Sequence, residues 1–528
     1  MHTAHIGLRR RLVGAALTGG LLAGLMAVGT HPAGAAPGQA CQSRNNNTIS
    51  KLLECVTVEG VREHQAALQA IADENDGTRS AGTPGYDASV AYARDRLEAA
   101  GYDVTVQSFE FDFFDDNSLL EQTAPNQTDY QVLSAQFDTP VAGAATGPLT
   151  PVDVVMPPGA TANSSSSGCE ATDFTTSGFA PGDVALLQRG TCSFADKALN
   201  AQAAGASAVV LYNEGQAGRT GFFVPIGPAP GLMIPVVATD FPTGAALFNA
   251  DQAGTGITVH VEAAFISDTR TAANVIAETK GGDDSNVVMV GAHLDSVLDG
   301  PGINDNGSGA ATVIDLAEAM RKVKPHNTVR FALWGAEEFG LLGSDFYVTS
   351  LSADEQANIA LYLNFDMIAS PNYVRFVYDG DGSEFGIPGP PGSGAIEQLF
   401  TQFYDDRGLA SEETAFDGRS DYGPFIAVGI PSGGLFTGAE EVKTAAQAAV
   451  YGGTAGDAYD PCYHQACDTF ANNDLGVLDL NADAVAFATF TYAQSTKSVD
   501  DAAPAAAITA QRVATSTFRD QYGEHSTS

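Results

Sequence analysis

Positive charge is scarce in this chain of 528 residues, which has 25 lysine and arginine residues against 63 aspartate and glutamate residues. The formal net charge is therefore −38 at pH 7. A surface this acidic repels phosphate backbones and anionic lipid surfaces. We consequently expect neither nucleic acid nor a membrane as a partner.

Long apolar runs are missing after the first 28 residues. The one long run, 12–28, follows three arginines at 9–11 and precedes the small residues 33–35. This order is typical of an export signal that is removed by cleavage, whereas a membrane anchor is the alternative. Because the apolar run contains several glycines and a cleavage pattern follows it, we expect a signal peptide over 1–36. The mature protein is then secreted and extracellular.

Cysteine is also sparse, with six residues whose spacings fit no usual zinc finger. In an exported protein, cysteines commonly form disulfide bonds. Proximity along the chain suggests the pairs Cys41–Cys55, Cys169–Cys192 and Cys462–Cys467, although six cysteines allow many other connectivities. The last pair would hold a tight loop that presents Tyr463 and His464.

Candidate functional side chains lie where short apolar runs end. Residues 287–290 are rich in valine and too few for a helix, which predicts a buried parallel strand that ends near His293. A loop rich in Gly and Asn follows and contains Asp305. A second run, 328–334, ends just before Glu337-Glu338. Because α/β sheets place their functional groups at the carboxyl ends of strands, we expect these side chains to converge.

Two further candidate ligands occur downstream. A third apolar run, 359–365, ends at Asp366, and His464 lies between two cysteines. Imidazole and carboxylate groups are good ligands for zinc. Taken singly, these residues also suit a solvated acidic turn or a surface histidine. Their combination at several strand ends favours a metal site.

The order of His293, Asp305, Glu337-Glu338, Asp366 and His464, with the residues that flank them, closely resembles the M28 family of zinc aminopeptidases. The resemblance covers roughly 61–113 and 272–494. It implies an α/β fold with a mostly parallel mixed sheet flanked by helices. It also implies two zinc ions per chain and peptide substrates with a free N-terminus.

The resemblance also implies a role for each residue. One zinc ion would be held by His293 and Asp366 and the other by Glu338 and His464, with Asp305 bridging the two. Glu337 would take a proton from the attacking water and pass it to the leaving amine. Tyr463 would donate its phenol group to the oxyanion of the tetrahedral intermediate. Asp295 would orient the imidazole of His293.

Four more residues are candidates for substrate contacts. Residues 418–422 resemble a family motif whose arginine, here Arg419, lies in the substrate cleft. Glu413 is a candidate partner for the free α-ammonium group, and a structural ion pair is the alternative for both residues. Met367 and Phe436 would line an apolar pocket for the first side chain, although core residues would look the same in the sequence.

A calcium ion is a further candidate cofactor. Asp479 and Asp483 lie one helical turn apart in the sequence, and similar proteins of the family bind calcium. Two carboxylates are too few to specify such a site.

The character of the chain changes over residues 119–266, where short strands alternate with Gly, Pro and Ser clusters. Within this part, 184–212 closely resemble a protease-associated (PA) domain, which is usually non-catalytic and would serve as a lid or accessory binding surface. Helical patterns precede it at 52–72 and 88–100. We therefore expect a signal peptide at 1–36, a split catalytic domain at 37–118 and 267–498, a small β-rich PA domain at 119–266 and a flexible C-terminal tail at 499–528.

The favoured function is thus a secreted, monomeric dizinc aminopeptidase that removes large apolar N-terminal residues. Another M28-type amidohydrolase or a carboxypeptidase is one alternative, but lysine and arginine do not cluster around the motifs to bind a free carboxylate. A non-catalytic binding protein related to the PA and M28 domains is the other. Such a protein would have lost metal ligands, and all of them are present.

Overall fold

The protein is described here from a computed structural model, which covers residue 41 and residues 43–502. The predicted signal peptide therefore lies outside the described residues. The helices are α1 Ile49–Leu53, α2 Val58–Glu74, α3 Pro84–Ala100, α4 Ala171–Thr176, α5 Phe194–Ala204, α6 Phe241–Ala250, α7 Gly307–Met320, α8 Leu342–Ser350, α9 Ala353–Ala357, α10 Ser393–Asp405, α11 Tyr422–Ala427, α12 Ala445–Tyr451, α13 Leu475–Gln494 and α14 Lys497–Ala502. The strands are β1 Asp103–Asp116, β2 Leu119–Ala124, β3 Thr128–Tyr130, β4 Leu133–Ser134, β5 Gln136–Phe137, β6 Gly143–Pro151, β7 Val184–Gln188, β8 Ala208–Tyr212, β9 Ile226–Gly227, β10 Val236–Thr239, β11 Thr258–Ala263, β12 Phe265–Glu278, β13 Asp283–His293, β14 Asn327–Trp334, β15 Ile359–Phe365, β16 Phe376–Tyr378, β17 Glu412–Thr414 and β18 Ser432–Phe436.

The main sheet has eight strands in the order β1-β12-β14-β13-β15-β18-β16-β17. Its four central strands, β14, β13, β15 and β18, are parallel. Antiparallel pairing occurs on both sides of this centre, between β1 and β12, β12 and β14, and β16 and β18. The fold is therefore the mixed, mostly parallel α/β sheet that the sequence predicts.

Helices cover both faces of this sheet, which explains the unbroken apolar run in β13. Val288 and Val290 pack into one core with residues of α2, α3, α7 and α13. Val287 and Met289 point the other way and pack with residues of α8 and α11. Because alternate residues of a strand face opposite sides, a strand buried on both sides must be apolar throughout.

One helix prediction is wrong in detail. The pattern over 52–72 is not one helix but two, because α1 ends at Leu53 and α2 begins at Val58. Thr57 starts the second helix, since its side chain accepts a hydrogen bond from the N–H of Gly60. The predicted helix 88–100 is confirmed, with Gly101 at φ +96° ending α3.

A second body is inserted between β1 and β12. These two strands pair along their whole length, from Asp103 opposite Glu278 to Asp116 opposite Phe265. The chain between them forms a second eight-stranded sheet in the order β3-β2-β11-β6-β7-β8-β10-β4. Strands β7 and β8 are fully buried there, and this body has apolar clusters of its own.

All three expected disulfide bonds are confirmed: Cys41–Cys55, Cys169–Cys192 and Cys462–Cys467. Within the described residues, no helix has the length and apolar character that crossing a bilayer requires. The predicted tail, 499–528, begins inside α14, where Val499 is buried. Residues 503–528 lie outside the described residues.

Candidate metal centre

Five chain segments bring polar side chains to the carboxyl edge of the main sheet. These are the end of β13 with His293, the loop before α7 with Asp305, the turn after β14 with Glu337 and Glu338, the residue after β15, which is Asp366, and the disulfide-bonded loop between α12 and α13 with His464. The convergence predicted from the sequence is present. Parallel strands β14, β13 and β15 produce it, because their carboxyl ends lie side by side.

Asp305 lies at the centre of this group, between the two imidazoles. Its Oδ1 is 3.2 Å from Nε2 of His293, and its Oδ2 is 3.3 Å from Nε2 of His464. Asp366 approaches the first imidazole, with Oδ1 at 3.2 Å. Glu338 approaches the second, with Oε2 at 3.1 Å. Two sets of donor atoms therefore share one carboxylate.

The electrostatic balance of the centre favours added positive charge. Burial alone would lower the pKa of His293, but the carboxylates of Asp366 and Glu337 raise it well above its usual value. Burial likewise opposes the ionisation of His464, yet Glu338 and Asp305 raise its pKa to about 11. The carboxylates thus outweigh desolvation at both imidazoles. A divalent cation at each set would satisfy the same excess of negative charge.

The donor atoms fit zinc. Imidazole nitrogens and carboxylate oxygens are ordinary zinc ligands. Here His293, Asp305, Glu338 and Asp366 belong to buried or half-buried clusters of such donors, whereas the His464 side chain is 41% exposed. In addition, Oε1 of Glu338 is buried and has no hydrogen-bond partner among the described protein groups. A buried carboxylate oxygen without a partner is costly. Metal coordination would remove that cost.

The Asp305 loop is held close to the Asp366 strand by the start of α7. Asn306 caps this helix by accepting a hydrogen bond from the N–H of Gly309. Gly309 itself packs so tightly that a Cβ atom would lie 2.1 Å from the carbonyl oxygen of Phe365. Only glycine allows this approach, which places Asp305 beside Asp366.

Three residues at the centre have positive φ although they are not glycine. They are Ala336, which precedes the glutamate pair, Met367, which follows Asp366, and His464 itself, with φ values of +55°, +48° and +55°. Such conformations are strained and persist where the surrounding structure enforces them. Here they turn the chain sharply at the points where the candidate ligands leave their segments.

Asp295 is fully buried behind His293 and the glutamate turn. Its Oδ1 lies 3.7 Å from Nδ1 of His293, which also lies 3.2 Å from the carbonyl oxygen of Asp295. The carboxylate accepts hydrogen bonds from the backbone N–H groups of Glu337 at 3.2 Å and Glu338 at 3.4 Å. Asp295 therefore contacts the imidazole, as the sequence predicts, and in addition fixes the turn that carries both glutamates.

A cavity of about 1260 Å³ opens over the centre. Tyr463 lines it and stacks on His464, with ring centroids 3.8 Å apart. Burial, followed by the charges of Asp305 and Glu338, raises the pKa of Tyr463, so its phenol stays protonated and able to donate. Arg419 also lines the cavity and forms an exposed ion pair with Glu440 at 3.3 Å.

The remaining predicted substrate residues line the same cavity. Met367 is buried, and Phe436 stacks on Phe376 with centroids 6.1 Å apart. Glu413 belongs to a different group, in which carboxylate oxygens of Asp379, Glu397 and Glu413 lie within 4.8 Å of one another. Glu413 therefore lines the same cavity as the candidate metal ligands but belongs to a separate cluster of carboxylates.

Among the described residues, the candidate calcium pair gains no third acidic or histidine ligand. Asp479 accepts a hydrogen bond from the N–H of Val58 at 3.2 Å. In the part of the chain that the structure describes, no cluster of three His, Cys or acidic residues includes Asp479 or Asp483. Calcium remains a prediction.

Three polar residues at the centre were missed in the sequence. Ser420 donates a hydrogen bond to Oδ2 of Asp366 at 2.6 Å. Asp468 accepts a hydrogen bond from the N–H of Asp305 at 2.9 Å. Arg79 is completely buried and donates hydrogen bonds to carbonyl groups near both ends of the loop between His293 and Asp305. Ser420 and Asp468 lie in or beside motifs noted above, but the contacts of all three residues are long-range.

Comparison with known proteins identifies the family. The profile of Peptidase family M28 matches residues 274–489, and that of the PA domain matches 145–247. An aminopeptidase of Pseudomonas aeruginosa is 46% identical over 466 residues, which are 87% of this chain and 85% of that protein. Leucine aminopeptidase 2 of Trichophyton equinum is 48% identical over 332 residues, covering 63% of this chain and 66% of that protein.

Solved structures agree with these matches. The structure of a zinc aminopeptidase from Bacillus subtilis is similar with a TM-score of 0.56 and 25% identity, covering 83% of this chain and 95% of that one. The shared fold, the matching profiles and a relative this similar along most of both chains lead to one conclusion. The chain belongs to peptidase family M28 and carries a PA domain inserted into its catalytic fold.

Proposed function

We propose that this chain is a secreted, dizinc enzyme that removes large apolar residues from the free N-termini of peptides. The family and its relatives make it a zinc-dependent metallo-aminopeptidase, a hydrolase. One observation supports two metal ions above all: Asp305 directs a separate carboxylate oxygen to each of two imidazoles. A single metal ion would account for only one of these two contacts.

Five side chains would hold the two ions. His293 and Asp366 would bind one ion, Glu338 and His464 the other, and Asp305 would bridge them. When bound, zinc supplies Lewis acidity, which polarises the peptide carbonyl and makes water acidic enough to lose a proton near neutral pH.

Glu337 would act as the general base and then as the general acid. Burial, together with the nearby negative charges of Asp366 and Glu338, raises its pKa well above the usual range, whereas His293 opposes this rise. A carboxyl group with a raised pKa accepts a proton from water and holds it long enough to protonate the leaving amine. Its Oε2 is 3.9 Å from Nε2 of His293, so it lies at the reacting centre without occupying the closest ligand positions.

Tyr463 would stabilise the oxyanion that forms as water adds to the carbonyl. Its phenol keeps its proton because burial and the neighbouring carboxylates raise its pKa. A donor placed where charge develops in the transition state is among the strongest catalytic devices. The stacking of its ring on His464 fixes the position of this donor.

The charge of the cavity favours a substrate with a free α-ammonium group. Its lining includes a single arginine, Arg419, and ten acidic side chains. The acidic residues are Asp305, Glu337, Glu338, Asp345, Asp366, Glu384, Glu412, Glu413, Asp417 and Glu441. Of these, Asp305 and Asp366 are closest to Nε2 of His293, both at 3.2 Å, and Glu337 follows at 3.9 Å. We assign the binding of the ammonium group to this end of the cavity, with Glu413 as a more distant candidate.

An apolar wall in the same cavity suits a large first side chain. Met367, Phe376 and Phe436 line it together, and Tyr459 packs edge-on against Phe376. Leucine, phenylalanine and methionine side chains would bury their surface here, at a gain of about 25 cal/mol per Å². Arg419 lines the same cavity and would also contact the substrate.

The setting of the enzyme follows from other parts of the chain. We propose that residues 1–36 direct export, because the basic, apolar and small-residue segments occur in the order of a signal peptide, and three disulfide bonds suit an oxidising compartment. We also propose a monomer with a catalytic domain at 37–118 and 267–498 and a PA domain at 119–266 that acts as a lid or accessory surface.

The test compares leucine anilide with its N-acetyl form on the same zinc-loaded sample. Acetylation removes the charge-assisted partner of the cavity carboxylates, which costs on the order of 2 kcal/mol or more. We therefore expect kcat/KM to fall at least about thirtyfold. Zinc analysis of the same sample should approach two equivalents per chain.

Three outcomes would contradict the proposal. Equal rates on the free and blocked anilides would indicate an endopeptidase or another amidase. Full activity after complete removal of zinc by a chelator would refute the metal mechanism. Selective turnover of peptides blocked at the N-terminus but free at the C-terminus would indicate a carboxypeptidase.

A further inference from the structure

We propose that Arg79 and Asp468 form a clamp that positions Asp305 between the two imidazoles. Neither residue is a candidate metal ligand, so both are positioning residues. The inference rests on the proposed dizinc site and extends it to two residues to which neither the resemblance nor the ligand set gives a role. Each contacts the short loop that ends at Asp305: Arg79 binds carbonyl groups of the loop, and Asp468 binds its N–H groups.

Arg79 holds the carbonyl groups of the connection between His293 and Asp305. It has no solvent exposure. Its Nε donates to the carbonyl oxygen of Pro301 at 2.8 Å and its Nη2 to that of Gly302 at 2.7 Å. Its Nη1 donates to the carbonyl oxygen of Leu294. One guanidinium group therefore joins the residue after His293 to the residues before Asp305.

Asp468 holds the N–H groups of the same loop. Its Oδ1 accepts from the N–H of Asn304 at 2.8 Å, and its Oδ2 accepts from the N–H of Asp305 at 2.9 Å. Its carbonyl oxygen accepts from the N–H of Ile303 at 3.1 Å. Three consecutive N–H groups are thus bound by one buried residue. The guanidinium group of Arg79 donates to carbonyl groups of the loop, and the carboxylate of Asp468 accepts from its N–H groups. Each charged group therefore makes the hydrogen bonds that its charge favours.

The loop needs this support because it has an unusual shape. Gly302 has φ +61°, and a Cβ atom there would lie 2.3 Å from the carbonyl oxygen of Asp305. The loop is neither strand nor helix until α7 begins at Gly307. Side chains must therefore supply the hydrogen bonds that regular structure would otherwise provide.

Asp468 also links the two halves of the centre. It directly follows Cys467, which closes the disulfide-bonded loop that carries His464. The residue that binds the N–H of Asp305 is thus four positions from the histidine whose Nε2 lies 3.3 Å from Oδ2 of Asp305. Movement of either segment would change both ligands together. The clamp therefore sets the spacing of the donor atoms.

The test uses the full chain and measures zinc binding rather than turnover. Asp468→Asn preserves size but turns an N–H₂ group toward a backbone N–H, and Arg79→Lys preserves charge but cannot reach three carbonyls at once. The control is Glu214→Gln in the inserted body, where Glu214 is equally buried and binds the N–H of Asn163. Zinc dissociation constants are measured by chelator competition, and absorption spectra of the cobalt-substituted proteins report the ligand geometry.

Of the two zinc ions, we expect the more weakly bound one to bind about 10- to 100-fold less tightly in both clamp variants. Loss of a residue that supports a metal ligand usually has an effect of this size. Their cobalt spectra should change, while the control keeps both the affinity and the spectrum. Unchanged zinc affinity and an unchanged spectrum in Asp468→Asn refute the clamp. If Asp468→Asn does not fold, the same measurements on Arg79→Lys decide. Failure of the unmodified protein to bind two zinc ions would instead refute the proposed function.

Discussion

Replacement of Glu337 by glutamine separates proton transfer from metal binding. The Glu337 side chain is 10% exposed, and its Oε2 lies 3.9 Å from Nε2 of His293. Its backbone N–H is bound by Asp295, a contact that the substitution leaves intact. Glutamine has nearly the same size, so the turn and the neighbouring Glu338 should stay in place. The change therefore removes a proton acceptor and one negative charge, and it leaves the turn in place.

The expected loss follows from the role of the carboxylate. A positioned general base contributes roughly 10²- to 10⁴-fold to the rate. At 1.36 kcal/mol per factor of ten, this corresponds to about 3 to 5 kcal/mol in the activation barrier. We expect kcat to fall by this factor and KM for leucine anilide to rise by a smaller factor, because Glu337 is one of the acidic groups at the end of the cavity that is assigned to the ammonium group.

The assay measures kcat, KM and bound zinc for Glu337→Gln and Glu338→Gln side by side. Glu338 lies 3.1 Å from Nε2 of His464, so its substitution should reduce zinc content as well as activity. Glu337→Gln should retain both zinc ions. If it keeps more than about a tenth of the activity, or if both variants lose zinc alike, the assigned division of roles is wrong.

Three further predictions concern other parts of the molecule. Replacing Cys462 and Cys467 together by serine should weaken zinc binding while circular dichroism stays unchanged, because the disulfide holds the loop of His464; chelator competition measures this. Phe436→Ala should lower kcat/KM for leucine and phenylalanine anilides more than for alanine anilide, because it removes part of the apolar wall; a reversed order would contradict that pocket. Burial raises the pKa of Asp315 to about 7, above that of the unfolded chain at about 4, so this group lowers the free energy of unfolding as pH rises between these values. Asp315→Asn should therefore gain in melting temperature relative to the unmodified protein from about pH 4 to pH 7 and keep a constant difference above it.

The strand ends and their side chains could be predicted because their signals are local. The apolar runs that became β13, β14 and β15 are each followed within a few residues by a candidate ligand. Parallel strands then bring those ends together without further information. The disulfide pairs could be predicted for the same reason, because each joins two cysteines that are close in the sequence.

The supporting residues could not be predicted, because their roles depend on distant contacts. Arg79 binds Pro301, which is 222 positions away in the sequence. Ser420 binds Asp366 across 54 positions. The surroundings of Glu413 depend on the pairing of β16 with β17, and short runs such as these give no pairing signal. Likewise, the break between α1 and α2 rests on a cap at Thr57 rather than on the apolar pattern, which continues through it.

The pairing of β1 with β12 has a consequence for how the two bodies are combined. The hydrogen bonding continues beyond the strands, where the N–H of Asn117 binds the carbonyl oxygen of Ala264 at 2.7 Å. The chain thus leaves the catalytic sheet and re-enters it at adjacent points, so the inserted body takes the place of a hairpin loop. A tight turn between β1 and β12 would close the same hairpin and preserve its register. We therefore expect that residues 118–263 can be exchanged for such a turn, or for another domain with neighbouring ends, without moving a single candidate zinc ligand.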